Sequence, residues 1–422
     1  MHNRRLFVAS CLALLTTSMM FSIRGDIVDA LRTDFHLSNE QMGAILSPAF
    51  WGFTLSIIIG GSLVDWLGMR NLLLGSSIGY IVSIVVILLA PRPAGAVSSV
   101  FGDTGTFILY AGMLVIGLSQ GLVEAVINPL IATIYANDKT NKLNILHAWW
   151  PGGLMLGGLI AFALTKAMGL EAATGEALTR GWQIKLGVVI LPSIVFGLMI
   201  LGQKFPPTER VAAGVPTGVM FSEMLRPMFL VLFVCMWMTA ATELGPDQWV
   251  ASVMSQVAGM QGILILVYTA GIMFVLRFFA GPLAHRLSPL GLLTACSILS
   301  ALGLYALSNA NTPMLAFAAA TIFGVGKTYF WPTMLGVTSE LFPRGGPVLL
   351  AIMGGAGMLS VSFILPLMGR WYDTQDAAAA FRNTAILPVI LTVIFGALWA
   401  YYRSRGGYKA EALTAATPRS AV

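Results

Sequence analysis

The sequence predicts an all-α polytopic membrane protein with twelve transmembrane helices in two pseudo-symmetric six-helix bundles. Its 422 residues are 57% hydrophobic and only 10% charged, whereas a soluble domain carries about 25% charged residues. Apolar runs recur along nearly the whole chain, and each is long enough to cross about 30 Å of hydrocarbon. The twelve runs lie at about 6–31, 42–64, 71–90, 106–135, 144–168, 182–202, 227–250, 259–284, 290–308, 313–338, 346–369 and 383–402.

The ends of the chain are expected to lie in the cytoplasm. Arg4 and Arg5 precede the first apolar run as in a secretory signal, but no small-x-small cleavage site follows, so we expect an uncleaved first helix. Fourteen Lys and Arg residues fall on the predicted side of the termini and seven on the other side. This positive-inside bias predicts a multi-pass protein of the cell (inner) membrane with both termini cytoplasmic. The net charge of +6 therefore reflects orientation and does not indicate a nucleic-acid partner.

A polar connection after the sixth run divides the chain. It covers 203–226 and is the longest within the predicted helical core. We therefore predict an N-terminal bundle at 1-202, a cytoplasmic linker at 203-226, a C-terminal bundle at 227-402 and a cytoplasmic tail at 403-422.

The two predicted halves share internal motifs. The pattern G-x-x-E-x-x-x-N-P at residues 121–129 returns as G-x-x-K-x-x-x-W-P at 324–332, in the fourth and tenth runs. Likewise, GSLVDWLG at 61–68 is matched by GPLAHRLS at 281–288. Parallel repeats of this kind imply an axis along the membrane normal, with a substrate site near the midplane between the halves.

The stretch between the second and third runs, GSLVDWLGMRNLL, resembles the signature of the major facilitator superfamily, a G-x-L-x-D-x-x-G-R/K pattern. Gly61, Leu63, Asp65, Gly68 and Arg70 match it, the last shifted by one position. The resemblance covers essentially the whole chain and implies the major facilitator fold. It assigns Gly61, Asp65, Gly68 and Arg70 to the cytoplasmic gate, and the repeat adds His285 and Arg286.

Within that superfamily, VEAVINPLI and LNILHAWWPGG (143–153) are similar to two stretches of the fucose/glucose/galactose proton symporter family. This resemblance implies a role in sugar and proton handling for Glu124, and it matches Asn128 to the Asn of the family's Asn-Pro pair. Two positions depart from the family. Its first-helix Asp aligns with Gly25, and His147 stands where Gln is usual.

Charges inside apolar runs are the candidate functional groups, because an ionised side chain at the bilayer centre costs at least about 2.5–3.5 kcal/mol. Glu124 is near mid-depth and is the candidate proton-coupling acid, although a structural carboxylate is the alternative. Lys327 occupies the repeat-equivalent position, so a Glu124–Lys327 pair, direct or bridged by substrate, is geometrically natural. Asp26 is either a relocated coupling acid or the partner of Arg24.

The seventh run ends in TELGPDQWV (242–250), and Gly245-Pro246 is expected to break the helix there. Glu243, Gln248 and Trp249 are then candidate substrate contacts, while Asp247 is expected in the outer headgroup region. Further substrate-binding candidates are Lys327, Asn128, Trp331 and His147. Aromatic faces together with polar side chains suit sugars, although packing or interfacial anchoring is the alternative for any single Trp.

These features predict a secondary active transporter, and specifically proton-coupled uptake of a sugar or sugar-like solute by alternating access. The alternatives are a proton-coupled antiporter that exports a drug or metabolite and, less favoured because of a short tail, a non-transporting nutrient sensor. Enzyme motifs and Cys/His metal spacings are absent from the sequence. We expect no cofactor and no bound metal, function as a monomer, and a small solute, protons and the lipid bilayer as partners.

Overall fold

The computed structural model describes residues 2–135, 139–206, 222–277, 283, 286–342 and 346–409, and the regular structure of this part is helical. Eleven helical segments are long and apolar enough to span a membrane, and the shorter apolar helix Ile263–Arg277 occupies the eighth place. The chain is therefore a multi-pass membrane protein, with a helical segment at each of the twelve predicted spans. The exact limits of the linker stay a prediction, because 207–221 lies outside the described residues.

The first six spans form the N-terminal half. They consist of the helices His2–Asp26 with its continuation Val28–Asp34, Asn39–Leu46 with Pro48–Leu67, Met69–Leu88, Thr104–Ile134, Lys139–Ala167, and Gly175–Gly187 with Ile190–Ile200. The last six form the C-terminal half. They consist of Pro227–Val257, Ile263–Arg277, Pro289–Ser308, Pro313–Lys327 with Phe330–Leu341, Gly346–Thr374, and Ala377–Thr384 with Ile386–Ser404.

Contacts between spans follow the predicted internal repeat. Within each half, the first span packs on the fifth, the second on the fourth, and the third on the fourth and sixth, counting from that half's start. Between the halves, span 2 packs on span 11 and span 5 on span 8, which are symmetry-equivalent contacts, and span 1 packs on span 7. The repeat extends to the backbone, since Gly68 (φ 81°) and Ser288 (φ 63°) occupy equivalent positions after spans 2 and 8.

Two ends of the bundle can be distinguished by their contacts. The start of span 1 meets the end of span 6 where Arg5 Nε donates to Met199 O, and the start of span 7 meets the end of span 10 where Arg226 donates to Leu341 O. We call this end, where the chain enters span 1 and leaves span 12, the terminal face. The opposite end is the distal face.

The distal face is closed by contacts between the halves. The Asp373 carboxylate, at the end of span 11, accepts hydrogen bonds from Asn39 N (3.2 Å) and Glu40 N (2.8 Å), the first amide groups of span 2, which have no acceptor within their own helix. Deeper in the same seam, a Cβ on Gly43 would lie 2.5 Å from Leu365 O, so only glycine fits this approach. Ser252 Oγ of span 7 donates to Asp29 Oδ1 at 2.8 Å.

Spans 7 and 10 differ from the expected pattern of helix breaks. The prediction that Gly245-Pro246 ends the helix is wrong, because Pro227–Val257 runs through Pro246 as one helix. A proline is tolerated within a transmembrane helix where neighbouring groups satisfy the freed carbonyl. The break lies instead in span 10, between Lys327 and Phe330.

The predicted gate at the terminal face is only partly described. Gly61 lies within helix Pro48–Leu67, and Gly68 forms the left-handed junction to Met69–Leu88. Arg70 is half-buried and Arg286 is exposed. The Asp65 side chain and His285 lie outside the described residues, so the gate assignment stays a prediction.

Candidate functional site

Glu124 is held by a neutral hydrogen-bond network between spans 4 and 5. It lies ten residues before the helix end at Ile134, which is about 15 Å of rise and therefore near mid-depth. Asn128 Nδ2, one turn later, donates to Glu124 Oε2 at 2.9 Å, and His147 Nε2 lies 2.9 Å from Asn128 Oδ1. Since the amide oxygen of Asn128 is an acceptor, His147 donates through Nε2. The structure thus brings together three of the predicted site residues, and all three are partly exposed.

A buried hydroxyl pair joins span 3 to span 1. Thr17 Oγ1 donates to Ala13 O at 3.0 Å and therefore accepts the hydrogen bond from Tyr80 Oη, 2.8 Å away. The Tyr80 hydroxyl lies within electrostatic range of both Glu124 and Arg24. Tyr80 was not predicted as a site residue, and a Tyr in an apolar run carries no signal that separates it from a packing residue.

Lys327 forms an ion pair with Asp247, not with Glu124. Its Nζ lies 2.5 Å from Asp247 Oδ1, and both side chains are buried. The expectation that Asp247 reaches the outer headgroup region is therefore wrong, because the unbroken helix of span 7 keeps this residue inside the bundle. The proposed Glu124–Lys327 pair is not formed in this conformation. The repeat aligned the two helices correctly, but the partner of Lys327 comes from within its own half.

A second ion pair, between a buried carboxylate and a partly exposed Arg, lies one turn earlier on span 7. Arg277 Nη2, at the end of span 8, is 3.7 Å from Glu243 Oε1, while Glu243 Oε2 has no hydrogen-bond partner. Arg277 Nε also donates to Thr328 O at 3.3 Å, at the break in span 10. Arg277 was not predicted, although an Arg inside an apolar run is a sufficient signal to find it.

Asp26 lies in an ion pair that faces span 6. Its Oδ2 accepts from Lys185 Nζ at 2.5 Å, and both side chains are 9% exposed. The predicted Arg24–Asp26 pair is therefore wrong. Gly25, the position aligned with the family's first-helix Asp, lies tightly against span 7, since a Cβ there would be 3.2 Å from Asp247 O and 3.3 Å from Gln248 Nε2.

Gln248 joins spans 1 and 7 across the two halves. Its Oε1 accepts from Arg24 Nε at 2.7 Å, and its Nε2 donates to Phe21 O at 3.0 Å. Trp249, beside it, is fully buried, with its ring 6.0 Å from that of Tyr372. Trp331 packs on span 11, where a Cβ on Gly357 would lie 2.9 Å from its Cζ3 atom. Their roles as substrate contacts stay predictions.

The site therefore contains a hydrogen-bonded carboxylate on the N-terminal half and two carboxylate–cation pairs on the C-terminal half. Within the described residues, no group of three His, Cys, Asp or Glu side chains is placed to hold a metal ion. The arrangement therefore places carboxylate, amide, imidazole and cationic groups within the spans of both halves.

Comparison with known proteins decides the family. The model of the Major Facilitator Superfamily matches residues 6–344. The chain belongs to this superfamily. The structural relatives of this facilitator include a D-xylose-proton symporter, with a TM-score of 0.75 at 16% identity over 94% of this chain and 98% of the symporter. At this identity, the likeness shows the fold alone.

Curated relatives match shorter stretches of this facilitator. Monosaccharide-sensing protein 2 of Arabidopsis thaliana is 28% identical over 168 residues, which is 39% of this chain and 20% of that protein. A gentisate transporter of Corynebacterium glutamicum is 28% identical over 197 residues, 45% of this chain and 38% of the transporter. The chain thus spans less than half the length of either relative.

Proposed function

We propose that the protein is a secondary transporter that couples uptake of a sugar-like solute to proton entry, with Glu124 as the proton-carrying group. The observation that carries this is the difference in partners among the carboxylates within the spans. Asp26, Glu243 and Asp247 each face a cation, whereas Glu124 faces the neutral amide of Asn128.

Protonation has different consequences in these two settings. Neutralising Asp247 would leave the Lys327 ammonium buried without its counter-charge, which is strongly unfavourable. Neutralising Glu124 strands no partner, because an amide can hydrogen-bond to a carboxylate or to a carboxylic acid. Glu124 is also partly exposed, so protons can reach it. A group that loads and releases a proton during a transport cycle needs both properties.

The contacts between the halves support alternating access. The distal face is closed by the seam of spans 2 and 11 and by the polar contacts between spans 1 and 7. We propose that these contacts break when the bundles rock about the midplane, as in transporters built from parallel repeats. The charge bias of the loops supports a cytoplasmic terminal face, and hence an inward-facing conformation.

The proposed solute class rests on the polar groups near mid-depth and on relatives whose names refer to monosaccharides and gentisate. The test is uptake by the purified protein in proteoliposomes, screened across sugars, sugar acids and amphipathic drugs with and without an imposed pH gradient. Uptake of a sugar or sugar acid that the gradient accelerates supports the proposal. Failure to take up any sugar or sugar acid would contradict it. Gradient-driven transport of drugs away from the side of the membrane that the terminal face contacts would favour an exporter.

A further inference from the structure

Arg24 is a buried cation of span 1 with most of its hydrogen-bonding capacity unused. Its side chain is 0% exposed. Nε donates to Gln248, but Nη1 and Nη2 have no hydrogen-bond partner. The guanidinium carbon lies over the Phe50 ring at 4.8 Å and near the Phe21 ring at 5.4 Å. These aromatic faces attract a cation but do not satisfy its N–H groups.

Other cations within the spans have a carboxylate partner, which Arg24 lacks in the described part of the chain. Lys185, Arg277 and Lys327 each lie within 4 Å of a carboxylate, on Asp26, Glu243 and Asp247 respectively. Among the described residues, Arg24 has no such carboxylate. An uncompensated charge within the membrane is costly and marks a functional position, with its counter-charge supplied from elsewhere.

The unused end of Arg24 has the geometry of an anion site. Nη1 and Nη2 lie on one edge of a planar group and donate two parallel hydrogen bonds to the two oxygens of a carboxylate or phosphate. Arg24 also adjoins the candidate site, since its Nε donates to Gln248, which follows Asp247 of the Lys327 ion pair on span 7. The geometry points to a solute with an anionic group, which Arg24 binds through Nη1 and Nη2.

This inference rests on the proposed transport function and narrows its solute class to sugar-like anions. It also gives Gln248 a second role. The Arg24–Gln248 hydrogen bond joins the two halves, so separation of spans 1 and 7 during distal opening breaks it. The edge that carries Nη1 and Nη2 is then open to an entering anion, and the hydrogen bond from Nε to Gln248 forms again when the distal face closes.

The experiment compares matched neutral and anionic sugars in proteoliposomes. Uptake of D-glucose is compared with that of D-glucuronate, D-galactose with D-galacturonate, and D-ribose with D-ribose 5-phosphate, so that carboxylate and phosphate are distinguished. The variants are Arg24→Gln, which removes the charge, and Arg24→Lys, which keeps the charge but loses the paired donors. Arg180→Gln is the matched control, because Arg180 is exposed and pairs with Glu176 outside this region.

We expect faster uptake of the anionic member of at least one pair. Arg24→Gln should raise its KM by about 10- to 100-fold, the range for a lost hydrogen bond to a charged group, and Arg24→Lys should have an intermediate effect. Arg180→Gln should leave KM unchanged. Should Arg24→Gln fail to fold, thermal unfolding of the wild-type protein gives the same answer, since the anionic sugar should raise the unfolding temperature more than its neutral counterpart.

Preference for the neutral member of every transported pair would overturn the inference while leaving sugar transport intact. An equal effect of Arg24→Gln on neutral and anionic members would also overturn it and would leave Arg24 as a structural tie to Gln248. Uptake of none of the six compounds would overturn the proposed function itself, and this inference with it.

Discussion

Lys327 and Asp247 form a buried ion pair between spans 10 and 7 of the same half, with Nζ and Oδ1 2.5 Å apart. Because of this pair, the candidate residues of the two halves differ in how their charges are balanced. The C-terminal half neutralises its own buried charges, and Glu124 of the N-terminal half remains with a neutral partner. The division predicts that charge substitutions in the C-terminal half act mainly on folding, and that substitution of Glu124 acts mainly on coupling.

The first prediction concerns the Lys327–Asp247 pair. Lys327→Gln should lower the free energy of unfolding by about 3–5 kcal/mol, because it leaves Asp247 buried without a counter-charge. Lys327→Gln combined with Asp247→Asn should recover much of this loss. Thermal unfolding in detergent measures both, and a double-mutant cycle gives the coupling energy.

The control is Arg180→Gln in the exposed pair with Glu176, which should change stability by no more than about 1 kcal/mol. The charge swap Glu124→Lys with Lys327→Glu should show no mutual rescue, because these residues are not paired in this conformation. Additive effects of the Lys327 and Asp247 variants would contradict the assignment.

The second prediction concerns closure of the distal face. Asp373 binds the two amide groups at the start of span 2, where a negative charge is favoured by the helix dipole. Asp373→Asn removes that charge, so the distal-open state should become more populated. In a background without Cys11, Cys235 and Cys296, a cysteine replacing the buried Leu365 should react faster with an impermeant maleimide applied to the distal face.

Asp376→Asn serves as the matched control, because Asp376 caps the helix Ala377–Thr384 within the C-terminal half and, among the described residues, its carboxylate bonds only to that helix. It should leave the labelling rate unchanged. Equal rates in the Asp373 and Asp376 variants would show that Asp373 does not hold the seam.

The third prediction concerns pH and Glu171, which follows span 5 outside the membrane. Its hydrogen bond with Lys166 holds the pKa of this carboxyl below its ordinary value of 4.5. Glu171 Oε1 also accepts a hydrogen bond from Nε2 of Gln261, just before span 8, at 2.5 Å. The hydrogen bond from Gln261 joins the two halves. Since the pKa of Glu171 is lowered, the charged carboxylate stabilises this contact fully at any pH above 4.5. That stabilisation is lost only when the pH falls through the lowered pKa.

Glu171→Gln should therefore change the uptake rate by the same factor at every pH between about 5 and 8. The comparison is a pH profile of uptake in proteoliposomes, wild type against variant. A profile whose midpoint moves within that range would mean that Glu171 titrates there and that the pairing with Lys166 is not maintained.

Much of the fold follows from the sequence because the bilayer imposes it. The lengths of the apolar runs define the spans, and the repeated motifs near Glu124 and Lys327 relate the halves. The equivalent left-handed junctions at Gly68 and Ser288 agree with that relation. Which charged residues form ion pairs within a half depends on which face of each helix is turned inward. Helix packing decides this, and the spacing of charges along the sequence does not reveal it.

The site was predicted where its residues are neighbours on one helix or in one motif. Glu124 and Asn128 are one turn apart, so their hydrogen bond follows from helical spacing. Asp247 was misplaced because Pro246 was expected to end the helix, and packing in the membrane overrides that local preference. Pairing of Arg24 with Asp26 was one of two alternatives for Asp26, and it is wrong because residues two apart on a helix do not face each other.

The fourth prediction concerns orientation. The excess of Lys and Arg near the terminal face predicts that this face is cytoplasmic. A cysteine replacing the exposed Ser222, just before span 7, should react with an impermeant thiol reagent only in inverted membrane vesicles and not in intact cells. Labelling of Ser222→Cys in intact cells would reverse the assignment, while a cysteine at the distal residue Phe101 should show the opposite pattern.

If Glu124 carries the coupled proton, Glu124→Gln should uncouple uptake from the proton gradient. Gln keeps the size of the side chain and can still hydrogen-bond to Asn128, but it cannot bind or release a proton. The measurement is accumulation, in proteoliposomes with an imposed pH gradient, of the sugar or sugar acid that the wild-type protein takes up fastest. We expect wild type to concentrate it, and Glu124→Gln to exchange it down its own gradient without concentrating it. Accumulation by Glu124→Gln to the wild-type level would contradict the account.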